Sequence, residues 1–230
     1  MPYFSVQNLQ KKFDSLQIDV SFSCEKGSMT AIVGPSGSGK STILRMIAGL
    51  EQCGTEKSNA MTKIELDGKN ITDEKPAKRG LGMVSQNPSL FEHMTVEDNV
   101  AYGLVSRGTK KKEARNAACD FLEKFNLSGF GKRFPDTLSG GEAQRVALAR
   151  TLILKPSLVL FDEPLSALDA PLRKKLAALI KKLQCDFGFT GIMVTHDIEE
   201  AKSICDNVIL IENGKIKWQG NSSEFGIERF

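Results

Sequence analysis

Apolar and polar residues alternate at Ile18, Val20 and Phe22, the period-two spacing of a strand with one buried face. The stretch from Phe4 to Cys24 is strand-like throughout, and Ile64 to Gly68 repeats the pattern before an Asp67-Gly68 turn. Together they predict a small antiparallel sheet. Thr30 to Val33, Leu158 to Phe161 and Ile192 to Val194 are nearly continuous apolar runs that pass directly into polar or Gly-rich residues. Such runs predict strands covered on both faces, with chemistry placed where they end. Spacings of three and four at Ile43, Leu44, Ile47 and Leu50, at Val146, Ala149, Leu152 and Ile153, and at Leu172, Leu176, Leu179, Ile180 and Leu183 predict helices. Strands and helices therefore alternate, which predicts an α/β domain with a largely parallel sheet and ligands beyond its carboxyl edge. Residues 87 to about 140 depart from this order: Lys110 to Phe125 is helical in pattern, and Pro88 and Pro135 bracket the stretch. We read it as a helical insert. Asn213-Gly214, between Val208 to Glu212 and Lys215 to Gln219, predicts a type I′ hairpin that closes the sheet.

The chain of 230 residues is long enough for one large domain with a proper core. Thirty-one basic and 28 acidic residues leave a net charge of +3, too near balance for a nucleic-acid binder or a polybasic membrane anchor. No apolar run approaches the roughly 20 residues of a membrane-spanning helix, and the N-terminus carries no secretory signal pattern, so a cytosolic location is expected. Cys24, Cys53, Cys119, Cys185 and Cys205 are scattered and form no Cys-x-x-Cys pair. Buried free thiols are expected, not disulfides or a zinc site. The Asn-x-Ser/Thr triplets at Asn70, Asn126 and Asn221 have no meaning for a chain outside the secretory route, and Lys110 to Lys112 reads as the solvated start of a helix.

Gly34-Pro35-Ser36-Gly37-Ser38-Gly39-Lys40-Ser41 fits the phosphate-binding pattern G-x-x-x-x-G-K-[ST], and it stands between a predicted strand and a predicted helix as that pattern requires. Its glycines let the chain curl so that successive N–H groups face phosphate oxygens, and the helix adds the positive end of its dipole. Lys40 is then expected at the β and γ phosphates, and Ser41 on Mg²⁺. A second element, Leu158 to Phe161 followed by Asp162 and Glu163, ends a buried strand in two carboxylates. Asp162 suits Mg²⁺ held through water, and Glu163 suits the attacking water; two solvated acids capping a strand are the plainer alternative.

Leu138-Ser139-Gly140-Gly141-Glu142-Ala143-Gln144 read alone is helix-capping chemistry. It also resembles the signature loop of the ATP-binding cassette (ABC) family, and it precedes the Asp162-Glu163 strand as that loop does. The resemblance extends from about Val6 to Gly220. Gln86 resembles the Q-loop glutamine, Ser166-Ala167-Leu168-Asp169 the D-loop, and His196 the switch histidine, although His196 also precedes a capping box formed by Asp197 and Glu200. Phe13 takes the place of the aromatic residue that stacks on adenine. One departure is the link Cys53 to Lys63, a few residues longer than usual. Another is that the chain stops after Phe230, so a C-terminal regulatory domain is not expected.

What the resemblance implies is a single ABC ATPase domain over residues 1–230, with a P-loop NTPase core, an antiparallel β subdomain and the helical insert. The nucleotide would be held by Phe13, Gly34, Pro35, Ser36, Gly37, Ser38, Gly39, Lys40, Ser41 and Thr42. Mg²⁺ would be held by Ser41, Gln86 and Asp162, and Glu163, His196, Lys40 and Gln86 would serve catalysis. Ser139, Gly141 and Gln144 are implied to touch ATP bound by a second copy in a head-to-tail homodimer. Asn87 to Val96, then Asn99 to Ala101, resembles importer ATPases for oxyanions, polyamines, iron and thiamine. Transmembrane permease subunits would dock on the Q-loop and the insert, with Leu90 and Phe91 as apolar contacts, and a solute-binding protein would act indirectly. The alternatives are a soluble ABC ATPase, an exporter subunit or a non-hydrolysing module. Long coiled-coil insertions or paired cassettes would favour the soluble ATPase, and loss of Glu163 or His196 the non-hydrolysing module.

Overall fold

The computed structural model describes residues 2–13, 16–53 and 61–226. Among them, ten strands make one sheet: β1 (Phe4–Lys12), β2 (Gln17–Cys24), β3 (Met29–Val33), β4 (Lys63–Leu66), β5 (Lys69–Asn70), β6 (Leu81–Ser85), β7 (Leu158–Asp162), β8 (Thr190–Val194), β9 (Asn207–Glu212) and β10 (Lys215–Asn221), in the order β5-β4-β1-β2-β10-β9-β3-β8-β7-β6. The helices are α1 (Lys40–Ala48), α2 (Val96–Ser106), α3 (Lys111–Glu123), α4 (Gly140–Leu152), α5 (Ala170–Phe187) and α6 (Ile198–Ile204). The chain divides into two compact units, one made of Met1–Met83, Ser157–Glu163 and Lys181–Phe230, the other of Val84–Pro156 and Pro164–Ile180.

In the first unit β9, β3, β8 and β7 are parallel neighbours. Every residue of β3 and β8 is buried, which is why their sequences run apolar without alternation. Ile32, Leu160, Ile192, Val194 and Ile209 join Ile43, Leu44 and Ile47 of α1 in one core cluster. α1 is shorter than its apolar spacing predicts: it ends at Ala48, Gly49 takes φ 76°, and Leu50, expected on its buried face, is 60% exposed. β1, β2, β4 and β5 pair antiparallel, as the alternation predicts. The two halves are one continuous sheet because Lys215 of β10 pairs with Asp19 of β2. The Asn213-Gly214 hairpin has the positive φ values, 47° and 75°, that its turn requires. It lies in the middle of the strand order, so it bridges the two halves of the sheet and closes neither edge.

The second unit is helical. α3 and α4 fall where periodicity predicts them, but α2 has no clear apolar period. The reason is that its first turns bury polar groups. Asn99, fully buried, accepts from the Phe91 N–H at 2.8 Å and donates to the carbonyls of Phe91, Met94 and Thr95. Glu97 is 3% exposed and pairs with Lys132 at 2.7 Å. Leu90 is buried, so it serves as insert core and not as an outward contact, while Phe91 is half-buried against Tyr102 at 4.8 Å between ring centroids. Of the cysteines, only Cys24 and Cys205 are buried; Cys53 is intermediate and Cys119 and Cys185 are exposed. The long link from Cys53 to Lys63 lies largely outside the described residues.

Candidate active site

Strand register brings the chemistry together. Ile32 of β3 pairs with Val194 of β8, and Val194 pairs with Asp162 of β7, so three strands end level at the carboxyl edge of the sheet. The loop from Gly34 leaves β3, Glu163 follows β7, and Thr195 and His196 follow β8. Two main-chain bonds carry the alignment past the strand ends: Thr195 N–H to the Ile32 carbonyl at 3.2 Å and Glu163 N–H to the Val194 carbonyl at 3.0 Å.

The Gly34–Gly39 loop passes directly into α1, whose Gly39 cap takes φ 99° and supplies no side-chain hydrogen bond. The first N–H groups of that helix therefore have no capping side chain and favour an anion. Lys40, 6% exposed, donates to the carbonyls of Gly34 and Pro35 at 2.8 Å each, holding the loop curled. Burial pulls its pKa down, and the charges of Glu163 and Asp162 oppose that pull. Ser38 is buried and its hydroxyl has no hydrogen-bond partner, an orphan group of the kind a bound phosphate oxygen satisfies.

Ser41 Oγ donates to Asp162 Oδ1 at 2.7 Å, so a hydroxyl and a carboxylate converge from α1 and β7. Both are oxygen donors suited to a hard divalent cation. Glu163 holds φ 47°, a left-handed conformation that is uncommon for a residue with a side chain and that collects at functional sites. Its Oε2 lies 3.4 Å from His196 Nδ1. A cleft of about 460 Å³ is lined by Phe13, Leu16, Ser36, Gly37, Gly39, Lys40, Ser41, Thr42 and Glu163. Leu16 is the one lining residue that the sequence did not single out; its signal there is only an apolar residue shortly after Phe13.

The remaining expected residues belong to the second unit. Gln86 is exposed directly after β6. Ser139 is the exposed N-cap of α4, and it forms a reciprocal capping box with Glu142, whose carboxylate accepts from the Ser139 N–H at 2.7 Å. Gly141 is buried: a Cβ there would come within 2.6 Å of the Leu172 side chain, so a side chain would require Leu172 to shift, while the Gly141 N–H lies in the first turn of the helix. Gln144, expected to reach a nucleotide on a second copy, is 1% exposed and donates to the Ser85 carbonyl at 3.2 Å. Its side chain works inside its own unit. Asp169 caps α5 by accepting from the Leu172 N–H at 2.8 Å.

A family model described as ABC transporter matches residues 18–166. The chain is 43% identical, over 95% of its length, to the sulfate/thiosulfate import ATP-binding protein CysA of Synechococcus elongatus, and it covers 62% of that protein. It is 44% identical, again over 95% of its length, to the Fe(3+) ions import ATP-binding protein FbpC of Rhizobium etli, covering 61% of it. The chain thus spans about three fifths of the length of these relatives. Among solved structures, cbiO1 from Clostridium perfringens, part of the ABC transporter complex cbiONQ, superposes with TM-score 0.84 at 27% identity over 97% of this chain and 90% of that one. The dimeric post-hydrolysis state of the ATP-binding cassette MJ0796, bound to ADP and Pi, superposes with TM-score 0.80 at 30% identity over 96% of this chain and all of that one.

Proposed function

This chain belongs to the ABC transporter family, and from that premise we propose that it binds and hydrolyses ATP to power solute import through membrane permease subunits. The observation that carries the reading is the meeting, at one sheet edge, of the curled Gly34–Gly39 loop, the Ser41–Asp162 pair and the Glu163–His196 pair. The loop amides and Lys40 neutralise phosphate charge. Mg²⁺ bound with the nucleotide would be held by Ser41 and Asp162, with Gln86 added on the strength of the family resemblance, and would offset charge on the terminal phosphates. Glu163 accepts a proton from, or orients, the attacking water, and His196 steadies the Glu163 carboxylate from the neighbouring strand end.

Two copies associate head to tail around ATP, Ser139 and the Gly141 N–H of one facing the nucleotide of the other. The dimeric relative bound to ADP and Pi supports this arrangement. The permease docks on the Q-loop and helical insert at the cytoplasmic face of the membrane, with a solute-binding protein acting through it. The names of both relatives above support import over export. Among the described residues no helix is long and apolar enough to cross a membrane; in this reading the permease supplies the path for solute.

Phosphate release at saturating Mg-ATP tests the chemistry. Glu163→Gln keeps size and hydrogen bonding but removes the base, and it is expected to lower turnover about 10²- to 10⁴-fold while ATP affinity is retained. A wild-type protein that binds ATP and never releases phosphate overturns the hydrolytic half of the reading. Recovery from detergent-solubilised membranes without an integral membrane protein overturns the transport half.

A further inference from the structure

Phe13 has a support that catalysis does not use. Lys11, two residues before it, places its ammonium 5.5 Å from the centroid of the Phe13 ring. Phe13 is among the residues that line the cleft, and Lys11 is not. The same ammonium pairs with the Glu51 carboxylate and donates to the Gln52 carbonyl at 3.2 Å. Glu51 lies just past the end of α1, and its N–H bonds back to the Arg45 carbonyl at 3.2 Å. One cation therefore ties the end of the strand that carries the aromatic ring to the end of the helix that starts at the phosphate loop.

Two physical effects follow. A cation over one face of an aromatic ring draws on its π density, which favours stacking of an electron-rich base on the other face. Fixing the ring and the phosphate loop to one another also lowers the ordering cost of a ligand that must touch both. The ion pair itself is only partly covered, with side-chain exposures of 18% for Lys11 and 37% for Glu51, so its contribution to folding is small. Its consequence is geometric.

We propose that Lys11, locked by Glu51, is a positioning residue for the nucleotide base: it backs Phe13 and fixes the ring relative to the phosphate loop, adding affinity for the base and none for the phosphates. This rests on reading the cleft as a nucleotide site. Calorimetric titration of the full chain with Mg-ATP and with Mg-tripolyphosphate separates the two parts of the ligand. Lys11→Met is expected to weaken Mg-ATP about three- to fivefold and to leave Mg-tripolyphosphate unchanged. Lys11→Arg is expected to retain wild-type affinity, because a guanidinium can reach both Glu51 and the ring. Glu51→Gln should weaken Mg-ATP as well, and add nothing further in the Lys11→Met background.

Equal loss for both ligands, or an unchanged Mg-ATP affinity in Lys11→Met, overturns the proposal. If that variant does not fold, Glu51→Gln carries the same comparison. Wild-type protein that binds tripolyphosphate as tightly as ATP removes any role for Phe13 and Lys11 in base binding while leaving the phosphate loop intact. Wild-type protein that binds neither removes the nucleotide reading and this proposal with it.

Discussion

Two glycines of the same loop are predicted to fail in different ways when given a methyl group. Gly34 follows β3 directly, and a Cβ built on it would lie 2.1 Å from the Ile211 carbonyl oxygen of the adjacent strand β9. Carbon and carbonyl oxygen normally approach no closer than about 3.3 Å, so the loop or β9 must give way by about 1 Å. No rotamer relieves this, because the obstructing atom is backbone and Ile211 is fully buried. Overpacking of this kind costs about 1–3 kcal/mol, and the backbone at φ 151° adds about 1–2 kcal/mol for a residue with a side chain. At about 2–4 °C per kcal/mol for a chain of this size, Gly34→Ala should melt roughly 5–15 °C lower than wild type. It should also bind Mg-ATP much more weakly, since the loop leaves its place. Gly37 is the contrast. It has φ 79° with nothing within 4 Å of the place a methyl would take, and it lines the cleft. Gly37→Ala should therefore lose only the left-handed backbone cost of about 1–2 kcal/mol, a few degrees in melting temperature. Gly37 lines the cleft assigned to phosphate, and relief of its left-handed backbone would turn the loop N–H groups away from that space, so Mg-ATP affinity should fall by roughly an order of magnitude or more. Differential scanning fluorimetry and calorimetric titration read the two quantities separately. Gly37→Ala with wild-type affinity would refute the placement of phosphate in the loop, and Gly34→Ala with wild-type melting would refute the packing of Gly34 on β9.

Alkylation by iodoacetamide at pH 8 should modify Cys119 and Cys185 and spare Cys24 and Cys205 until denaturant is added, because the latter two are buried. Burial also pushes the Cys24 thiol up to about 11, leaving little thiolate to react; mass spectrometry of peptides gives the order, and early labelling of Cys24 would contradict it. In the helical unit, Arg115 donates to both oxygens of Asp98, at 2.7 and 2.6 Å, and these bonds hold the Asp98 carboxyl below its usual range. A carboxylate depressed in the folded state adds stability above its ordinary pKa and loses it as pH falls through the folded value. Glu97 and Lys111 also face this pair. Arg115→Met should accordingly melt below wild type at pH 7, and the gap should narrow as pH falls below about 4; a gap that stays constant to about pH 3 would assign the loss to packing of the Arg115 stem.

Local chemistry makes much of the molecule legible in the sequence. The Gly34–Ser41 loop, the Asp162-Glu163 strand exit and the Asn213-Gly214 turn each depend on a few neighbouring residues, and spacing alone identifies them. So do the apolar strands β3, β7 and β8, since burial on both faces leaves an uninterrupted apolar run. Helix α2 was not legible. Asn99 is buried by hydrogen bonds to the turn just before the helix, and Glu97 by an ion pair with the distant Lys132, and a polar residue buried in either way looks like a solvent-facing one in sequence.

Side-chain direction was likewise beyond the sequence. Gln144 and Ser139 stand in one short motif, yet Ser139 is exposed and Gln144 is bonded to Ser85 within its unit, because positions five apart on a helix are turned about 140° from one another. The same holds for the hairpin's place in the sheet and for the Lys11–Glu51 pair, whose members lie far apart along the chain. Spacing determined which residues could do chemistry. Only the tertiary structure, by setting the parallel register of β3, β8 and β7, decided that Ser41 meets Asp162 and Glu163 meets His196, since hydrogen-bonded strand pairing, unlike local propensity, fixes distances between residues far apart along the chain.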